Sequence, residues 1–156
     1  MPLARTRSAI ATADAAAATS EEANMSRSAI YTANTTAQVL TANSGISFGS
    51  IIRRFGCNCN LNGDAITLSG AGYYDVDINV VVTGSAAGTA EIVLLKDGVE
   101  VPGATASTAT STTSINTVGI SALVRELCCQ GGSTLTLVLR GVNATISNVA
   151  TVVTKL

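Results

Sequence analysis

Gly72-Tyr73-Tyr74-Asp75-Val76-Asp77-Ile78-Asn79-Val80-Val81-Val82, residues 72–82, alternates apolar and polar side chains with a period of two. Tyr74, Val76, Ile78, Val80 and Val82 fall on one face, and Tyr73, Asp75, Asp77 and Asn79 on the other. That pattern predicts a strand with one dry and one wet face. The same texture extends downstream. Thr89 to Lys96 is a second apolar run, and Asp97-Gly98 between it and Val99 to Val101 predicts a type I′ hairpin. Pro102-Gly103 predicts a further turn, followed by Ala104 to Ser114, polar enough for a loop or an outer strand. Ile115 to Val124, Thr134 to Arg140 (with Leu135, Leu137 and Leu139 on one face) and Ala144 to Lys155 complete the series. Asn62-Gly63 and Gly131-Gly132 mark turns between runs. Roughly eight short strands at this spacing, with no helical crossover pattern, predict an all-β antiparallel sandwich or jelly roll.

Composition narrows the chemistry. Histidine is absent, which removes Ser–His–Asp and Cys–His nucleophile pairs and every His-ligated metal site. An enzyme is not expected, nor is a cofactor. The net charge is −1 and only 12% of residues are charged, so no basic face is available for a phosphate backbone. Aromatics are 3% and Trp is absent, which argues against platforms for base stacking. No apolar run is long enough to cross a bilayer as a helix, so no membrane partner is expected. The Ala-rich N-terminus, interrupted by Thr, Asp and Arg, lacks the continuous apolar stretch of a secretory signal.

Residues 1–34 read as an N-terminal arm, extended or partly helical, preceding a domain of residues 35–156. The arm holds a repeat: Arg7-Ser8-Ala9-Ile10 recurs as Arg27-Ser28-Ala29-Ile30, with Thr12-Ala13 and Thr32-Ala33 at matching offsets. Two readings stay open: a disordered tail, or an anchor in which the two copies make equivalent contacts with a partner.

Four cysteines form two clusters, Cys57/Cys59 and Cys128/Cys129. Adjacent cysteines close a strained ring, and i, i+2 strand positions lie near the Cα limit of about 6.8 Å. Bridges between clusters, within or between chains, are therefore favoured. One would close a loop of roughly 70 residues, a stabilisation of about 4 kcal/mol. A four-thiolate zinc site and reduced, packed thiols are the alternatives. Asp75 and Asp77 are Ca²⁺ candidates only weakly, a solvated face being the simpler reading. Arg53-Arg54 reads as a surface pair.

Three stretches carry a resemblance. Gly70-Ala71-Gly72-Tyr73-Tyr74-Asp75-Val76 resembles the glycine-aromatic-x-valine strand start of trimeric jelly rolls of the tumour-necrosis-factor and C1q-like superfamily, in their bacterial and phage branch. Leu94 to Gly103, LLKDGVEVPG, is similar to the hairpin those domains place mid-chain, and Val149 to Leu156, VATVVTKL, ends on a strand as they do. The likeness spans residues 40 to 156. It implies a homotrimeric jelly roll serving as a phage head fibre or capsid decoration protein on the virion surface. The resemblance further implies that the arm, through Arg7, Ser8, Ala9, Ile10, Arg27, Ser28, Ala29 and Ile30, binds the major capsid protein or another lattice protein. The contrasting function is a trimeric receptor- or glycan-binding tip. The absence of Trp and of any heptad or collagen-like stalk weighs against that second function.

Overall fold

The computed structural model describes residues 27–127 and 131–156. Among them every regular element is a strand. In chain order these are β1 (Ser28–Asn34), β2 (Gln38–Leu40), β3 (Gly45–Ile46), β4 (Ser50–Phe55), β5 (Cys59–Asn62) and β6 (Ala65–Leu68). There follow β7 (Gly72–Gly84), β8 (Gly88–Lys96), β9 (Val99–Thr110), β10 (Ile115–Glu126), β11 (Ser133–Arg140) and β12 (Ala144–Lys155). They form two six-stranded antiparallel sheets. The first runs β10-β7-β12-β1-β4, with β2 also on β12; the second runs β5-β6-β11-β8-β9, with β3 also on β11. Sequence neighbours repeatedly sit in opposite sheets, as β6 and β7 or β11 and β12 do, so the expected jelly roll is observed with more strands than the turn spacing suggested.

The alternation of residues 72–82 is realised in β7: Tyr74, Val76, Ile78, Val80 and Val82 are fully or almost fully buried. Leu135, Leu137 and Leu139 of β11 face them across the sandwich core together with Ile66, Leu68, Ile92 and Leu94. These are the apolar faces whose removal from water stabilises the pair of sheets. The β8–β9 turn is the expected type I′, because Asp97 (φ 53°) and Gly98 (φ 82°) both adopt left-handed conformations.

Two sequence expectations are corrected. Pro102-Gly103 does not end a strand; it lies inside β9, where the ladder with β8 shifts register between Val93 and Leu95. The segment bends there while remaining paired, as a bulge allows. More consequentially, the domain begins before residue 35. Ser28–Asn34 is an internal strand, in register with β12 from Ser28↔Lys155 to Asn34↔Val149, and with β4 on its other side. Its inward side chains are Ser28, Ile30 and Thr32, all essentially inaccessible to solvent. With two of the three polar, apolar alternation could not reveal it.

Candidate functional site

Two regions concentrate chemistry. The first is the end of the sandwich where β5, β7, β10 and β12 meet. Tyr74, opposite Lys155 in the ladder, donates its phenol hydrogen bond to the Gly70 carbonyl at 2.7 Å. The Ser69 hydroxyl donates to the Cys57 carbonyl at 3.3 Å, and the Ser69 amide to the Asn58 carbonyl at 2.9 Å, so the β6–β7 loop is bound to the Cys57–Cys59 segment. Glu126 ends β10 with 3% of its surface exposed. Among the described residues neither of its carboxylate oxygens has a hydrogen-bond donor, and its ion pair with Lys96 is long, at 3.6 Å. A shallow cavity beside it is lined by Ser69, Gly70, Leu127, Gly131 and Gly132.

The two described cysteines have different fates although they stand two residues apart. Cys57 is exposed and Cys59 is buried, and they are not bonded to each other. Cys59 starts β5 and belongs to the core. Burial pushes its thiol up to about 11, against the opposing pull of the Arg54 and Lys155 charges. Arg54 is more than a surface cation: its Nε donates to the Cys59 carbonyl at 2.8 Å, tying β4 to β5. Cys128 and Cys129 lie outside the described residues, as do Arg7, Ser8, Ala9 and Ile10. Leu127 and Gly131, which flank the second cysteine pair, line the same cavity as Ser69 and Gly70, beside the Cys57 loop.

Burial also pushes the Tyr74 phenol up to about 12, with Cys59, Glu126 and Cys57 adding in the same direction. For both groups the folded state favours the neutral form. Unfolded chain ionises from ordinary values of 9.0 and 10.0, so their contribution is complete below about pH 9 and is lost as pH rises toward 12. The loss is about 2–3 kcal/mol for each group. Urea unfolding of the reduced domain at about pH 8 and about pH 11 should show this fall; an unchanged midpoint would refute it. Iodoacetamide at the lower pH should modify Cys57 rapidly and Cys59 only on unfolding. Equal rates would show that Cys59 is not held in the core.

The second region is the outer face of the first sheet. Ladder registers place Arg53, Tyr31, Val152, Asp77 and Ser121 in one row across β4, β1, β12, β7 and β10. Phe55, Ala29, Thr154, Asp75 and Leu123 form the next. Tyr31, Val152, Tyr73, Leu123 and Phe55 all keep more than a third of their surface exposed, and Arg125 lies over the Tyr73 ring, 5.8 Å from its centroid. The outer face of the second sheet carries Thr67, Glu91, Thr105, Ser107, Thr134, Thr136 and Arg140, with an Arg140–Glu100 ion pair at its margin, together with Val93, which is buried, and Leu95 and Val138, which are half-buried. Asp77 accepts a hydrogen bond from Ser121 at 2.8 Å, and among the described residues no group of acidic or thiol side chains is arranged to hold a metal.

The arm candidates divide. Arg27 is exposed where the chain enters β1. Ser28 and Ile30 are buried in β1 and cannot form an external contact while the sheet is intact. Ser28 is further committed to Asn58: its Oγ donates to Asn58 Oδ1 (3.1 Å) and accepts from the Asn58 amide (2.9 Å). An Asn thirty residues away is a partner that no local pattern announces.

No protein-family model matches the chain, and no curated protein matches it in sequence. Solved structures do match in fold. Murine APRIL is 14% identical with a TM-score of 0.64, over 83% of this chain and 99% of that one. The globular domain of zebrafish complement 1qA protein is 10% identical with a TM-score of 0.59, over 82% and 94%. The PRD1 vertex protein P5 is 14% identical with a TM-score of 0.57, over 83% and 96%. With two antiparallel sheets in this strand order and those neighbours, the protein has the TNF/C1q-like jelly-roll fold.

Proposed function

We propose that this protein is a non-enzymatic structural component of a virion: a homotrimer whose jelly roll projects from the capsid, attached by the residues that precede β1. The observation that carries the trimer is the asymmetry between the two outer faces. Tyr31, Val152, Leu123, Tyr73 and Phe55 give the first sheet exposed apolar side chains that neighbouring copies can cover, while the apolar residues on the outer face of the second sheet, Val93, Leu95 and Val138, are buried or half-buried within the chain. The likeness to the PRD1 vertex protein supports the virion setting. The expected partner is the major capsid protein or another lattice protein on the capsid exterior, reached after synthesis in a bacterial host.

The contrasting reading, a receptor- or glycan-binding tip, draws on the likeness to APRIL and complement 1qA. It has to share one surface with assembly, since the exposed aromatics among the described residues (Tyr31, Phe55 and Tyr73) all belong to the first sheet or its edge.

Light scattering of residues 27–156 should return a trimer mass. Tyr31→Asp with Leu123→Asp should return a folded monomer, because both positions face solvent within one chain. A wild-type monomer at micromolar concentration would sink the trimer. In co-sedimentation with capsids lacking the protein, the full chain should bind and residues 27–156 should not. Binding of both at equal occupancy would place the contact on the jelly roll. For the mature particle, Cys57 is the proposed bridge partner for Cys128 or Cys129, leaving Cys59 reduced in the core.

A further inference from the structure

The outer face of the first sheet carries charges as well as apolar side chains, and the opposite signs sit apart. β4 is the margin of that sheet, paired only with β1, and all six of its residues are exposed. Arg53 lies on the outer face, in the row that continues through Tyr31 and Val152 to Asp77 on β7. Asp75 stands beside Asp77 on the same face of β7, and both aspartates are exposed. Among the described residues none of these three charges takes part in an ion pair; the pairs present join Lys96 to Glu126 and Arg140 to Glu100. Arg53 donates a hydrogen bond to the carbonyl of its own neighbour Ile52, and Asp77 accepts one from Ser121.

Three strand spacings separate β4 from β7, about 14 Å, which is beyond the reach of an arginine side chain. Within one chain the opposite charges cannot meet. Two other arginines of this sheet are engaged elsewhere, Arg54 with the Cys59 carbonyl and Arg125 over the Tyr73 ring. A purely apolar cover on this face would bury the aspartates unpaired, which is strongly unfavourable. Whatever covers Tyr31 and Val152 therefore has to bring a cation to the β7 half. A second copy of this chain carries one, Arg53, on an exposed margin.

We propose that Arg53 on the β4 edge of one copy pairs with Asp77 of the next, with Asp75 adding to the negative charge it meets. This pairing rests on the trimer proposed above and gives its contact a direction. In a closed ring of identical subunits each contact joins two unlike patches, and a basic margin and an acidic strand on one face are such patches. The same placement brings the exposed Phe55 of β4 against the neighbour's sheet, so charge pairing and apolar burial act together.

Sedimentation equilibrium of the full chain under reducing conditions tests the pairing, with Arg53→Asp, Asp77→Arg and the two combined. Each single reversal sets like charges against one another and should raise the concentration at which the trimer dissociates at least about thirty-fold, the lower end for breaking a desolvated charge pair. The combined variant restores opposite charges and should return to within about ten-fold of wild type. Two substitutions that merely harmed folding would add their effects and not cancel them, so recovery is the signature of a direct pair. A trimer that tolerates Arg53→Asp, or a combined variant no better associated than the single ones, overturns the pairing and leaves the trimer standing. A wild-type monomer overturns the trimer and this contact with it.

Discussion

A chain beginning at residue 35 should fail to fold, and a chain beginning at residue 27 should melt as cooperatively as the full protein. In the sheet β4 is paired only with β1, so deleting Ser28–Asn34 strips it of its ladder and turns β12, an internal strand, into an edge. Ile30 leaves the core, a loss of about 1.5–3 kcal/mol from apolar burial alone. Asn58 loses Ser28, and the Ser47 carbonyl loses the hydrogen bond that Asn34 donates, keeping the one from Gln38. Together these losses compare with the whole stability of a domain, about 5–15 kcal/mol. Circular dichroism melts of residues 27–156 and 35–156 measure the difference directly. A cooperative transition for the shorter chain, at a similar temperature, would show that β1 is dispensable and that the domain begins where apolar patterning alone places it.

Tyr74 should be the most costly single side chain to truncate. In a chain with few aromatics it is, with Phe48, one of two that are wholly buried, and its hydroxyl also holds the β6–β7 loop through the Gly70 carbonyl. Tyr74→Ala is expected to cost about 3–5 kcal/mol, by analogy with other large aromatic truncations in cores. Tyr74→Phe keeps the ring and removes the donor, for about 1–2 kcal/mol. The alkaline loss of stability should shrink in Tyr74→Phe, leaving the share due to Cys59. Denaturant titrations of both variants give the comparison. Equal costs for Ala and Phe would mean that the hydroxyl, not the ring, is the stabilising group.

The strands that could be read locally are those whose inward residues are all apolar. β7 announced itself through Tyr74, Val76, Ile78, Val80 and Val82, β11 through Leu135, Leu137 and Leu139, and the β8–β9 hairpin through Asp97-Gly98. β4 could not be read this way, because all six of its residues, Ser50 to Phe55, are exposed and none alternates; it is a strand because β1 offers it an edge. Of the site residues, Tyr74 was legible as core and the wet face of β7 as wet. The burial of the Glu126 carboxylate was not, since a lone Glu at a strand end is ordinarily solvated.

By itself the sequence determined the all-β class, the inward face of the longest core strands, the type of the central turn, and the absence of imidazole chemistry. Each of these is a property of residue types and of a period-two pattern, which the pleated backbone converts directly into sidedness. Only the tertiary structure decided that Ser28–Asn34 belongs to the sheet, that Cys59 is core while Cys57 is surface, and that the exposed aromatics Tyr31, Phe55 and Tyr73 gather on one sheet. Those outcomes depend on contacts between residues far apart in the chain, such as Ser28 with Asn58 and Tyr31 beside Val152. A buried polar side chain is stable where a distant partner satisfies it, and pairing at that range is set by how the sheets stack and by no local repeat.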